Sequence, residues 1–281
     1  MGSAVRFWRS RFAWLLAIGA AAAANPQAAS AQLFTRDIPG TTIATAVQVA
    51  LAGTKVHLHN LGPLKDGTYF SASASSVKWP ISFGPGQRTY FTVPEASQAV
   101  LGRRYSYFVN HVRSDGIFVV SGADSFTLTI TLKSVGPALI GKCVRVRAPV
   151  RDCLGLGEAE MPPIAWNDGR VDVELFPIRV GSSLAFEVRN VVIGGAFVLG
   201  QACDLALVGV RLCAAVNKQT DVLRAKVAAQ VKASLNAPML RKAIAAGVRE
   251  QLNTTAQIPI LGVRSVVMAN GVVRIGLGLG Q

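Results

Sequence analysis

The sequence predicts an α+β protein built mainly of antiparallel strands, with a short helix near its beginning and a long helical segment near its end. Three observations carry this prediction. Apolar and polar residues alternate in several stretches between residues 55 and 215, as in strands with one buried face. Turn-forming Gly, Pro, Asn and Asp residues separate those stretches. From residue 221 the apolar period lengthens to four, which indicates helix.

Residues 1–31 have the pattern of a secretory signal peptide. Three arginines precede an apolar run over residues 12–24, which is shorter than the ~20 residues that span a bilayer. The small residues at 29–31 offer a cleavage site. We therefore expect an exported protein, periplasmic in a bacterium or fully secreted, with a single domain over residues 32–281.

The cysteines form two pairs with equal spacing, Cys143 with Cys153 and Cys203 with Cys213. An even number of cysteines in an exported chain indicates disulfide bonds rather than a metal site. Four cysteines allow three connectivities. We favour 143–153 and 203–213, because each pair can face itself across a hairpin, the second with Gly209 at its turn. Each short loop closed in this way would add about 2–3 kcal/mol of stability.

The first predicted element is a short helix over residues 39–53. Apolar residues recur every four positions from Ile43 to Leu51, and Thr41 or Thr42 is expected to cap the start. Gly53 is expected to end it.

The predicted strands follow. In the clearest one, over residues 125–133, the even-numbered positions from Phe126 to Leu132 are apolar and the intervening ones are mostly threonines. The same alternation occurs over residues 143–147, 170–176 and 183–190. Near the end, Asn270-Gly271 predicts a hairpin between two further strands.

The late helical segment covers residues 221–253. Its apolar residues form two series with a spacing of four: Leu223, Val227, Val231 and Leu235, then Leu240, Ile244, Val248 and Leu252. Asn236 and Pro238 lie between the series, where they either start a second helix or kink one long helix. This stripe suits a helix that lies across a strongly twisted sheet.

Charge and composition narrow the classes of partner. The chain has 29 Lys and Arg against 15 Asp and Glu, a net charge of +14, so anionic partners should be attracted to it. Outside the cytoplasm these are lipid headgroups and acidic glycans, and we expect no nucleic-acid partner. With 51% hydrophobic but only 7% aromatic residues, any binding site would be lined by aliphatic side chains.

This order of elements resembles the tubular lipid-binding (TULIP) superfamily, in particular bacterial periplasmic domains like bactericidal/permeability-increasing protein. The resemblance implies a strongly twisted antiparallel sheet wrapped on a long kinked C-terminal helix, over roughly residues 39–281. It also implies lipid binding in an apolar groove or tunnel. The residues that stand where that family's helix faces its lumen are Leu223, Val227, Val231, Leu240, Ile244 and Val248. The same residues would equally form a closed core.

Two segments combine aromatic and basic residues as membrane-contacting loops do. One contains Trp79 and Phe83, and the other Arg103, Arg104 and Tyr105. We expect transient contact with an anionic membrane surface, with ordinary strand and loop packing as the alternative.

The sequence contains no nucleophile elbow, no His-Glu-x-x-His and no phosphate-binding loop, so we expect a non-catalytic protein without a cofactor. His57 and His59 share a strand face, but no third ligand follows at a predictable position, and we predict no metal site. The expected function is sequestration or transfer of a lipid or other amphiphile. One alternative is a non-catalytic envelope interaction protein, and another is an envelope hydrolase that uses Glu158, Glu160 or His111.

Overall fold

The computed structural model describes residues 33–59, 76–78, 88–90, 96–100, 103–144, 163–199, 209–260 and 262–278. Over these ranges the protein is an α+β protein in which antiparallel strands predominate. The described helices are α1 (Gly40–Leu51), α2 (Gly209–Leu235) and α3 (Pro238–Thr254). The described strands are β1 (Leu33–Pro39), β2 (Lys55–Leu58), β3 (Ser76–Lys78), β4 (Arg88–Tyr90), β5 (Ala96–Val100), β6 (Arg103–Val109), β7 (Val112–Ser121), β8 (Phe126–Ser134), β9 (Leu139–Val144), β10 (Ile164–Val180), β11 (Ser183–Leu199), β12 (Val263–Ala269) and β13 (Val272–Gly278).

The described strands form two sheets. The larger has the order β4-β3-β2-β7-β8-β10-β9-β6-β5, and β11 pairs with β10. Strands β10 and β11 are its longest members, 17 residues each, and they form one long hairpin. The smaller sheet has the order β1-β13-β12, so it joins the first described strand to the last.

The predicted N-terminal helix is confirmed as α1. Ile43, Val47 and Leu51 are buried, as their spacing predicts. The predicted threonine cap is wrong, because the residue before the helix is Pro39 and no side chain caps the start. Pro39 has ψ 133°, outside the helical range, so the helix begins at the next residue, and the Gly40 amide donates to the Gly271 carbonyl at 2.7 Å instead of to a capping side chain.

The alternating segments 125–133, 170–176 and 183–190 are confirmed as strands, whereas residues 145–147 of the segment 143–147 lie outside the described residues. In β8 the residues Phe126, Leu128, Ile130 and Leu132 are buried, and the threonines between them are not. The last hairpin turns through Asn270 and Gly271, which both have positive φ angles of 52° and 73°. This is the backbone of a two-residue type I′ turn, for which Asn-Gly is the preferred sequence.

The prediction of strands up to residue 215 is wrong at its end, because α2 already begins at Gly209. A short apolar run such as 204–210 has no clear period of its own, so strand and helix cannot be told apart there. Cys213 therefore belongs to a helix and not to a hairpin strand. Cys153 and Cys203 lie outside the described residues. Both cysteine pairings stay predictions.

Of the two options for the late segment, the structure has two helices. Asn236 and Ala237 separate α2 from α3, and Pro238 stands at the start of α3. A proline suits the first turn of a helix and not its interior, which explains the break. Both helices pack against β11, and α3 also packs against α1. The buried apolar side chains of all these elements form one hydrophobic core.

Candidate functional site

The six side chains that the resemblance places in a lumen lie in the hydrophobic core cluster. Leu223, Val227, Leu240 and Val248 are buried, and Val231 and Ile244 are half-buried against the same core. A cavity of about 20 Å³ adjoins Ile244, which is room for about one water molecule. The lumen-facing role of this stripe stays a prediction.

A larger groove lies on another face of α3. It has a volume of about 380 Å³, within the usual range for small-molecule sites. One wall is the end of the β10–β11 hairpin and the other is α3. The lining residues are Val180, Gly181, Ser183, Ala185, Pro238, Arg241, Lys242, Ala245, Ala246 and Arg249.

The helix wall of this groove follows from the spacing of its residues. Pro238, Arg241, Lys242, Ala245 and Arg249 recur every three or four positions, so they share one face of α3. Alanine at position 245 carries only one carbon beyond the backbone and leaves the space between helix and hairpin open. The result is a groove with an apolar floor and a basic rim.

Hydrogen bonds within the β10–β11 turn and between this turn and β12 hold the hairpin wall of the groove. The Arg179 guanidinium donates from Nε to the Gly181 carbonyl at 2.6 Å and from Nη1 to the Arg264 carbonyl at 3.0 Å. The Val263 amide donates to the Ser182 carbonyl at 3.0 Å. The turn between β10 and β11 is therefore tied to β12, and the groove is formed before any ligand arrives.

The rim carries positive charge without matching negative charge. Lys242 and Arg249 are exposed, and no described carboxylate forms an ion pair with them or with Arg241. Arg241 donates from Nη2 to Asn236 Oδ1 at 3.1 Å. Its Nε is buried and has no hydrogen-bond partner among the described residues. A buried guanidinium N–H without an acceptor is unfavourable, so this site favours an anion.

Arg241 also links the two cavities. It lines the 380 Å³ groove on one side and the 20 Å³ cavity beside Ile244 on the other. Its side chain therefore lies between the surface groove and the apolar stripe of the core.

The other predicted site residues are placed as follows. Trp79 and Phe83 lie outside the described residues, as do Glu158 and Glu160. Arg103, Arg104 and Tyr105 belong to β6, of which the backbone is described. Their predicted membrane contact and the predicted hydrolase residues stay predictions. His111 lies beside His57 and His59, a grouping that sequence reasoning missed because 54 residues separate His57 from His111.

The chain was compared with protein-family models, curated proteins and solved structures, and none of them matches. In the described part of the chain, no helix combines the length and the hydropathy that a membrane crossing requires.

Proposed function

We propose that this is an exported, periplasmic protein that sequesters or transfers a lipid-like amphiphile with one anionic headgroup and an acyl chain. The observation that carries the proposal is the preformed groove between α3 and the β10–β11 hairpin, with its apolar floor and three cations on its rim. The protein acts by binding and not by catalysis.

The headgroup lies at the basic rim. Several positively charged N–H donors lie close together there, which suits a phosphate or carboxylate; they belong to Arg241, Lys242 and Arg249. Arg241 Nε is buried without a partner among the described residues, so this atom can donate to the headgroup only after the side chain shifts toward the groove.

The acyl chain lies against the apolar floor formed by Val180, Ala185 and Ala245. Each CH₂ that leaves water contributes about 0.8 kcal/mol. When the headgroup draws Arg241 toward the rim, the space beside Ile244 becomes continuous with the groove, since Arg241 lies between the two. In this way the stripe predicted to face a lumen would receive the end of a longer chain.

The same proposal includes the finer architecture expected from the TULIP resemblance. Packing of α2 and α3 against β11, the partner of the central strand β10, supports a sheet that curves around the helical segment. Loss of the three arginines in residues 1–31 leaves a net charge of +11 instead of +14, which supports approach to an anionic membrane and adds about 1 kcal/mol for each basic residue near the surface.

The test uses two single-chain lipids with the same acyl chain, lysophosphatidic acid and the zwitterionic lysophosphatidylcholine. We expect the delipidated protein to bind the anionic lipid at one equivalent and to bind the zwitterionic lipid more weakly. Failure of both lipids to bind, in calorimetry and in displacement of a fluorescent fatty acid, would overturn the proposal.

Two matched triple variants test whether the ligand binds in the groove beside α3. Arg241→Gln/Lys242→Gln/Arg249→Gln removes three charges from the rim, and we expect it to weaken binding by at least about tenfold, since hydrogen bonds to charged groups contribute about 1.5–3 kcal/mol each. The control, Lys218→Gln/Lys226→Gln/Lys232→Gln, removes three exposed charges from α2 outside the groove. Equal loss of affinity in both variants would indicate a general charge effect and contradict a site on α3.

A further inference from the structure

All three histidines of the chain lie at one place in the fold. His57 belongs to β2, His59 follows its end, and His111 lies in the turn between β6 and β7. Their ring centroids are 6.0 Å (57 to 59), 5.4 Å (57 to 111) and 3.9 Å (59 to 111) apart. His57 Nε2 and His111 Nδ1 are separated by 3.2 Å. Every imidazole that the protein has is therefore in this cluster, the histidine cluster.

The backbone brings the cluster together through strand pairing. Leu58 is buried, so His57 and His59, on either side of it, share the opposite face of the chain. Leu58 pairs with Val112 in β7, which places the preceding residue, His111, at the same end of the pair. The His111 backbone has φ +46°, a conformation that non-glycine residues rarely adopt.

The turn that carries His111 is anchored on both sides. The Asn110 amide donates to the Ala138 carbonyl at 2.8 Å, and its side-chain Nδ2 donates to the Pro137 carbonyl at 3.3 Å. On the other side, buried Val112 begins β7. A left-handed backbone conformation at a non-glycine residue is often found at functional sites, where contacts with the surrounding residues stabilise that conformation.

The geometry suits ligands of one metal ion. Bonds of about 2.0–2.1 Å to a tetrahedral ion place two nitrogens roughly 3.3–3.4 Å apart. His57 Nε2 and His111 Nδ1 form a hydrogen bond at 3.2 Å, so the two nitrogens already lie at about the spacing that a shared ion requires.

The three rings must turn before they can bind one ion together. They are stacked within 14° of parallel, and no group of three or more His, Cys, Asp or Glu in the described ranges is arranged to hold a metal as it stands. The required motion is rotation about the Cβ–Cγ bond, a torsion with a broad, shallow energy profile.

We propose that His57, His59 and His111 form a binding site for a divalent transition metal ion of the class that prefers imidazole, such as Zn²⁺, Cu²⁺ or Ni²⁺. Three histidines supply the protein ligands of a tetrahedral site, and the fourth position stays open to water. Arg113 lies opposite His57 across the β2–β7 pair, so its charge opposes the bound cation.

The experiment is calorimetry on the metal-free mature protein with Zn²⁺, after any free thiols have been alkylated so that cysteines cannot bind the metal. We expect one equivalent of Zn²⁺ to bind and Mg²⁺ not to bind, because Mg²⁺ prefers oxygen ligands. Bound Zn²⁺ should also raise the melting temperature, since it binds the folded chain.

The variants separate this site from other metal binding. His59→Gln and His111→Asn should each weaken Zn²⁺ binding by more than the roughly 10–100-fold that the loss of an outer-shell partner costs. Asparagine tolerates positive φ at position 111, so that variant removes the ring and keeps the turn. Arg113→Gln should instead tighten binding. Failure of the folded wild-type protein to bind Zn²⁺, or unchanged binding after loss of all three histidines, would overturn the proposal.

Discussion

The side-chain amide of Asn236 hydrogen-bonds to the main chain of β11, as a neighbouring strand would. Its Oδ1 accepts from the Val188 amide at 2.9 Å, and its Nδ2 donates to the Val188 carbonyl at 2.8 Å. Among the described strands β11 pairs with β10 alone, so this amide group satisfies main-chain atoms on the other edge. The sequence predicts that Asn236 begins or kinks a helix, and its true partner was not predictable because it lies 48 residues away.

Replacement of this side chain should be costly. We expect Asn236→Ala to lower the free energy of unfolding by about 1–3 kcal/mol, the cost of leaving a buried polar group without a partner. Urea unfolding provides the measurement, with the exposed Lys232→Ala as control. A cost for Asn236→Ala no larger than that of the control would contradict this role.

Asp37 and Arg274 form a bidentate pair across β1 and β13, with both N–O distances 2.8 Å. The hydrogen bonds from Arg274 lower the pKa of Asp37 below its usual range, and desolvation opposes this change. A carboxyl whose pKa is lower in the folded state stabilises the fold above its unfolded pKa. That stabilisation is lost as the pH falls through the folded pKa.

The pH dependence of stability should therefore change in Asp37→Asn. We expect the variant to lose less stability than the wild type between pH 5 and pH 2, as urea titrations at each pH will measure. Arg274→Lys keeps the charge and loses the bidentate geometry, so its acid sensitivity should be intermediate. If the wild type and Asp37→Asn lose the same free energy of unfolding between pH 5 and pH 2, the Asp37–Arg274 pair does not contribute to the pH dependence of stability.

At the scale of elements, the β10–β11 hairpin contains a distortion beside Gly195. The register shifts between Asn167 and Arg170, where Asp168 has φ +50°. Gly195 has φ +93°, and a Cβ there would lie 2.6 Å from the Asp168 carbonyl oxygen and 2.7 Å from that of Asn167. The irregular region therefore requires glycine on the partner strand.

A comparison of two glycines tests this requirement. Gly181, at the hairpin turn, also has positive φ (59°), but a Cβ there would meet no atom within 4 Å. We expect Gly181→Ala to cost about 1 kcal/mol, from backbone strain alone. Gly195→Ala should cost at least about 3 kcal/mol, because two main-chain oxygens must also move. Equal melting temperatures for Gly181→Ala and Gly195→Ala would contradict the proposed crowding of a Cβ at position 195 against the two main-chain oxygens.

Elements were predictable from sequence where one face is buried. Alternation in β8 and β10, and the period of four in α3, follow directly from contact with the core. Strand β1 was missed, because LFTRDIP does not show regular alternation and its partner is the last described strand. The start of α2 was missed because a short apolar run fits either structure.

At the scale of the whole molecule, the predicted stripe of α2 and α3 completes the core, while the groove lies on another face of α3. The sequence predicts which residues are apolar, but it does not predict which face of α3 lies beside the hairpin. That position depends on contacts between distant elements, such as the bond from Val263 to Ser182. The groove could therefore be found only in the folded chain.

The burial of Leu252, the last residue of the stripe, has a measurable consequence. Leu252 is fully buried, and Leu252→Ala should lower the free energy of unfolding by about 2–5 kcal/mol through the cavity it leaves. Met239 on the same helix is 69% exposed, so Met239→Ala should change the free energy of unfolding by no more than about 0.5 kcal/mol. A cost below about 1 kcal/mol for Leu252→Ala, measured by urea unfolding, would contradict this packing.

The pairing of β1 with β13 bears on how the chain acquires its structure. Asp37 and Arg274, which join these strands, are 237 positions apart. During synthesis β1 has no partner until β13 has also been made, and closure over such a distance is slow. Formation of this small sheet is thus a late event in the folding of the described residues.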